Sequence, residues 1–284
     1  MSFKDTLLVL TSYPEPTPRA SIDQALALGA ALETRMTAIS FEIDVQVPGG
    51  RNFLADMLLD LPSMVAAERE KAAINAKALL DAFEAAATPR GLFQARLKER
   101  AVTPLIPDVL TEQARLHDLT VIPLREGDSV EQVYAETIIF GSGRPCIVLP
   151  GHAGASNTPA LTSIAIAWDF SRPAARALAD AMPILQKAKT VRCVTVAEDK
   201  TMKSTRSHEQ LANHLRMHGV EAAFDTVDAA GREIGDILHD YVVGRNIDLL
   251  VMGAYGHSRV RDFVIGGATK TMLRKPPVPL FLSH

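Results

Sequence analysis

The sequence predicts an α/β protein built as two doubly wound domains, each a five-stranded parallel sheet with helices on both faces. Three observations predict it. Short apolar, strand-like runs alternate with Ala- and Leu-rich helical stretches along the chain, the pattern of βαβ units. That pattern is written twice, with corresponding segments in the same order in both halves. Between the copies, residues 151–160 read "GHAGASNTPA", a Gly/Ser/Asn/Pro linker. The boundary falls there, with domains over 1–150 and 158–284.

Each half opens on an apolar strand, "TLLVLTSY" from Thr6 and "SIAIAWDF" from Ser163. A Pro/Ser/Arg turn and an Ala-rich helix follow, in "RASIDQALALGAALE" and "SRPAARALADAMPILQKA". Second strands come next, "MTAISFEI" and "TVRCVTVA". The halves then diverge. The first inserts "DVQVPGGRNFLADMLLDLPSMVAAERE", a loop that also lengthens its second helix, where the second half has the shorter, more polar "EDKTMKSTRSHEQLANHLRMHGV". Fourth strands, "HDLTVIPL" and "IDLLVMGA", carry Asp118 and Asp248 at matching places. Both halves end on a Pro-flanked strand, "RPCIVLP" and "PVPLFLSH". Those final strands are the expected joining edges of an internal pseudo-dimer of two separate sheets, because exposed apolar edges need covering.

The bulk composition excludes several function classes. A chain of 284 residues with 47% hydrophobic and 22% charged residues is that of a globular protein large enough for two cores. A net charge of −3 gives no general attraction to nucleic acid or anionic lipid. Aromatic residues are 5% of the chain, with Trp168 the single tryptophan, which argues against stacking platforms for single-stranded nucleic acid. Cys146 and Cys193 lie in apolar runs and read as buried reduced thiols. The opening "MSFKDTLLVLTSYPEP" lacks a signal-peptide pattern, and no apolar run approaches the roughly 20 residues of a membrane span. A soluble, cytoplasmic protein is expected.

In an open parallel sheet, ligands sit beyond the carboxyl ends of the strands where the strand order reverses. In the second half, strand one runs into Asp169, in "IAWDFSRPA". A carboxylate there caps the next helix or accepts hydrogen bonds from a ligand. Strand four runs into "GAYGHSRVRDFVIGG", residues 253–267. Gly253 and Gly256 allow a tight turn and close backbone approach to a ligand, with no Cβ in the way. Gly266 and Gly267 stand at the entry to the last helix, where unpaired amides and the helix dipole favour an anion. His257, Ser258, Arg259 and Arg261 lie between them. No Gly-Lys-Ser/Thr closes the loop, so it is not a Walker loop, and it is not a GxGxxG fingerprint.

The run Gly253-x2-Gly256-x9-Gly266, led by "DLLVMG" and followed by a helix and "PPVPLFL", resembles the universal stress protein family, as does Asp169 after strand one. With its two-fold repeat, the chain resembles a tandem member in which only the second half carries the glycine motif. The resemblance implies a Rossmann-like fold of the adenine nucleotide alpha hydrolase type, and binding of ATP, AMP or a related adenine nucleotide, with Mg²⁺ accompanying ATP. It places Asp169 near the adenosine moiety and Gly253, Gly256 and Gly266 around ribose and phosphate. The implied nucleotide-binding set is Asp169, Val196, Gly253, Gly256, His257, Gly266, Gly267 and Thr269. One departure stands out. The family's pattern has Ser or Thr directly after the last glycine, and here Gly267 removes a hydroxyl donor while keeping the amide; Thr269 is two residues on.

The first half lacks the loop. Aligning Asp118 with Asp248 sets Pro123 opposite Gly253 and Glu126 opposite Gly256, and brings Glu126, Asp128 and Glu131 to the place of phosphate. Like charges there are unfavourable by several kcal/mol when desolvated, so this half is expected to bind nothing. His208, His214 and His218 are weighed as metal ligands and read instead as a polar helix face, and Asp225 and Asp228 as strand-end surface residues. The leading expectation is a nucleotide-responsive stress or regulatory protein, read by a protein partner and with a homodimer in view. The alternative is an interaction module of the same fold that binds no nucleotide. ATP hydrolysis ranks last, since the loop offers no evident base, and no catalytic or metal-ligating residue is assigned.

Overall fold

The structure is a computed structural model that describes residues 2–44, 61–151, 161–197, 205–254 and 267–284. The first half runs β1 (Asp5–Leu10), α1 (Arg19–Leu32), β2 (Arg35–Ile43), α2 (Leu61–Ala87), β3 (Phe93–Ala101), a 3-10 turn (Thr103–Leu105), α3 (Ile106–Arg115), β4 (Leu119–Leu124), α4 (Ser129–Gly141) and β5 (Cys146–Pro150). The second repeats it as β6 (Ser163–Ala167), α5 (Arg172–Leu185), β7 (Thr190–Ala197), α6 (Thr205–Met217), β8 (Ala222–Asp228), α7 (Ile234–Gly244), β9 (Leu249–Gly253), α8 (Gly267–Arg274) and β10 (Leu280–Ser283).

Within each half every strand pair is parallel, in the orders β3-β2-β1-β4-β5 and β8-β7-β6-β9-β10. The expectation of two separate sheets is corrected here. β10 pairs antiparallel with β5, Phe281 opposite Ile147, and makes one ten-stranded sheet. The reason is elementary: each final strand would otherwise leave a row of unpaired amides and carbonyls on a fully buried apolar segment. The two strands named as joining edges do meet.

Strand alternation sends side chains to both faces, and both are covered, so the central strands are apolar throughout. Leu8, Val121, Ile166, Val251 and Phe281 pack under α1, α2, α5 and α6. Leu7, Val9, Ile122, Leu250 and Leu282 pack under α3, α4, α7 and α8. The outer strands differ. Gln94, Arg96, Lys98 and Arg100 of β3 are exposed, with Arg96 paired to Asp81 at 2.6 Å and Lys98 to Glu42 at 2.7 Å. Charged edges resist further strand addition.

Asp118 and Asp248 hold the two halves to one plan. Asp118 Oδ2 accepts from the amides of Lys4 (2.9 Å) and Asp5 (3.2 Å), tying the entry of β4 to the entry of β1. Asp248 Oδ2 accepts from the amides of Thr162 (2.9 Å) and Ser163 (2.8 Å) and from Thr162 Oγ1 (2.6 Å), tying β9 to β6. Asp225 is more than the surface residue expected of it. Arg192 grips it at 2.9 and 3.0 Å and Tyr241 donates to it, which locks β7, β8 and α7 together. Arg192 first, then Tyr241, holds the Asp225 carboxyl below its usual range.

The seam makes a direct prediction. Phe281 is fully buried in β10, with its ring 6.2 Å from that of Phe3. Phe281→Ala should cost about 3–5 kcal/mol. Urea unfolding followed by circular dichroism should show one earlier transition for the whole sheet, not loss of one half alone.

Candidate functional site

β6 and β9 are neighbours whose chains leave in opposite directions, β6 toward β7 and β9 toward β10. In an open α/β sheet such a reversal is where ligands bind, beyond the carboxyl ends of the strands. The expected site residues distribute around it. Asp169 follows β6, Val196 is half-buried near the end of β7, Gly253 ends β9, and Gly267 and Thr269 lie in the first turn of α8. Gly256, His257 and Gly266 lie outside the described residues.

Asp169 is exposed and its Oδ1 accepts from the amide of Ser171 at 2.9 Å. Ser171 is the residue that caps α5, its Oγ accepting from Ala174 N at 3.2 Å. Phe170 between them adopts φ 61°, in the left-handed region, a conformation disfavoured for an aromatic residue. Beside it lies an aromatic group that composition did not reveal. Phe170 is edge-on to Trp168 (centroids 5.6 Å) and stacked on His208 (6.1 Å), which tilts against Phe224 (5.5 Å). The Trp168 Nε1 donor is buried and has no hydrogen-bond partner among the described residues. His208 meets Thr195 Oγ1 at 3.3 Å, while His214 and His218 pair with each other, centroids 4.8 Å apart. Among the described residues, no three metal-ligating side chains gather.

Gly253 has a different reason from the one its motif suggests. A Cβ there would stand 2.3 Å from Ala174 N and 2.4 Å from the Pro173 carbonyl carbon. Alternation along β9 explains the direction. Leu249 and Val251 face the α5 side, so position 253 faces it too, into the start of that helix. This glycine lets strand and helix backbones touch. Gly267 is exposed, and among the described residues a Cβ there would meet only Glu233 Oε2, at 3.7 Å. Glu233, at the start of α7, is the acidic neighbour that sequence spacing gave no means to place. Thr269 is buried, 3% exposed, one helical step inside Ala268.

The equivalent position in the first half is filled by the chain itself. Asp128 caps α4, accepting from the amides of Val130 and Glu131 at 3.0 Å each. Glu131, fully buried, accepts from Arg125 N (2.7 Å) and Nε (3.1 Å), and the same guanidinium reaches Asp128 at 2.8 Å. Donors that a phosphate would need are already taken. The acidic residues were legible in the sequence; their neutralising partner Arg125 was not. Glu126 points elsewhere, across the seam to Lys275 at 3.1 Å.

Comparison with known proteins bears on this geometry. Residues 161–284 match the model of the universal stress protein family. A 34-residue stretch is 59% identical to a universal stress protein of Synechocystis sp., covering 12% of this chain and only 12% of that one. The crystal structure of a universal stress protein from Archaeoglobus fulgidus superposes with a TM-score of 0.66 at 15% identity, covering 98% of this chain and 95% of the other. A functionally unknown protein from Pseudomonas aeruginosa PAO1 gives 0.56 at 9% identity, covering 98% and 92%. The structural likeness establishes the Rossmann-like α/β fold over both halves. Among the described residues no helix is long and apolar enough to cross a membrane.

Two outcomes follow. Gly253→Ala should destabilise the fold by about 1–3 kcal/mol through overpacking against α5, read as a lower urea midpoint without any ligand present. Burial pushes the Glu131 carboxyl above its ordinary range, against the pull of Arg125. The folded chain therefore keeps this proton to higher pH than the unfolded chain does, and the contribution of Glu131 to stability falls as pH rises from about 4.5 through the raised value. Urea midpoints across that window should lose this downward slope in Glu131→Gln.

Proposed function

We propose that the chain is a tandem universal stress protein whose second half binds an adenine nucleotide and whose first half is a non-binding structural partner. The observation that carries this reading is the contrast between the two switch points. At one, the first helical turn begins with an exposed glycine whose Cβ would meet only Glu233 among the described residues; at the other, Asp128 and Glu131 already satisfy the donors. The family match over 161–284 supports placing the nucleotide in the second half.

In this reading Asp169 and Val196 flank the nucleoside, and the amide of Gly267 at the start of α8 faces phosphate, together with Gly256, His257 and Gly266 from the intervening loop. An exposed helix N-terminus favours an anion. Glu233 opposes it, so each added phosphate gains less than an uncharged rim would give, and Mg²⁺ arriving with ATP would offset that repulsion. The role is binding: a bound nucleotide changes the surface around the loop that a protein partner reads. A second reading, an interaction module without nucleotide, is favoured by the same Glu233 and by the missing hydroxyl at 267.

Titration calorimetry with ATP, AMP and adenosine separates the two. Gly267→Ser should tighten ATP roughly tenfold or more, because a hydroxyl bond to a charged phosphate contributes about 1.5–3 kcal/mol. Glu233→Gln should tighten ATP more than adenosine. If wild type and both variants bind no adenine compound, the interaction module stands.

A further inference from the structure

A cavity of about 290 Å³ lies on the α1/α5 side of the sheet, at the amino end of β6 and away from the candidate nucleotide crevice. Residues from both halves line it: Phe3, Ala31 and Leu32 from the first, Leu161, Pro183 and Ile184 from the second. They are positional counterparts. Phe3 and Leu161 each precede the pair of amides held by Asp118 or Asp248. Ala31 and Ile184 are the penultimate residues of α1 and α5, both 14 residues long. Because β5 and β10 are antiparallel, β1 and β6 start from opposite ends of the sheet. The twist of the strands brings both starts over the seam on one face, where they meet.

The walls are apolar and closely held. Phe3, Leu32, Leu161 and Ile184 are between 2 and 8% exposed. The polar rim is one-signed: among the described residues, Lys187 and Lys189 line the cavity and no carboxylate does. Lys187 is shared with Glu33 of the first half at 2.7 Å, outside the lining. Lys189 has no ion-pair partner among the described residues, and its backbone is fixed at the mouth because Lys189 N and Thr190 N both donate to Thr162 O at 2.9 Å. An apolar pocket between two packed units with a few convergent charges is the usual form of a small-molecule site, and this one is near the small end of that range.

We infer that this cavity binds a small anionic amphiphile, a short- or medium-chain carboxylate, with its tail between Phe3 and Leu161 and its carboxylate at Lys189 and Lys187. Lys189 supplies the uncommitted charge, and the ligand shares Lys187 with Glu33. Such a ligand touches both halves at once and binds only when the seam is intact, so it stabilises the folded chain by mass action.

The test uses the full chain with octanoate, and with octylamine as the probe of equal tail and opposite charge. Calorimetry should give saturable octanoate binding and a melting temperature that rises with its concentration, with octylamine at least tenfold weaker. Lys189→Glu should weaken octanoate at least tenfold. Ala31→Trp, a substitution on an exposed helix position that fills the mouth, should abolish binding while leaving the far-ultraviolet spectrum unchanged. Equal affinity for the two probes, no saturable octanoate binding, or octanoate binding that survives Ala31→Trp would each overturn the assignment. Neither variant touches the nucleotide crevice, so ATP titrations of the same samples report on that site separately.

Discussion

An open five-stranded parallel sheet leaves backbone donors and acceptors unpaired along both edges, and this chain must cover an edge on two units of the same topology. Pairing β5 with β10 removes one edge from each half. Three residues a side, Cys146 to Val148 against Leu280 to Leu282, are enough, because every side chain on those segments is buried on one face or the other. The remaining edges, β3 and β8, are outermost. On β3 the charged side chains are held in ion pairs that keep the strand wet.

The seam also decides what lies near what. Antiparallel halves on a twisted sheet bring amino ends together on one face and carboxyl ends together on the other. Lys187 and Glu33 meet on the first. On the second, Lys275 reaches Glu126, and the His284 ring stands edge-on to Phe140 (centroids 5.1 Å) while its Nδ1 lies 3.1 Å from Ala254 O. The start of the glycine loop is thereby braced against a helix of the other half. The two faces carry different chemistry for a geometric reason.

Much of this was legible in the sequence, and the exceptions have physical causes. Central strands such as "LLVL" and "IAIA" are unmistakable because both their faces are buried. The third strand of each half is not: β3, "FQARLKERA", has no β-branched residue and carries charges along its solvent face, so it offers little apolar signal. Asp118 and Asp248 aligned the halves because both do the same backbone work. Gly253 was read as room for a ligand, since a motif records that a side chain is missing but not which neighbour excludes it; strand alternation turns that position toward α5. Arg125 and Glu233 escaped notice for a related reason. Their partners are set by where loops fold back, at Glu131 and beside Gly267, and no periodicity encodes that.

One covalent chain joining the two sheet halves makes their association unimolecular. The strength of the seam sets how often the sheet opens, not how many molecules are assembled, and dilution leaves that unchanged. It also fixes the composition of every assembly. Separate chains carrying the Arg125–Glu131 cluster and the glycine-led helix would mix into like and unlike pairs. Here each molecule holds one of each, so a population contains a single, uniform ratio of the two without any sorting step.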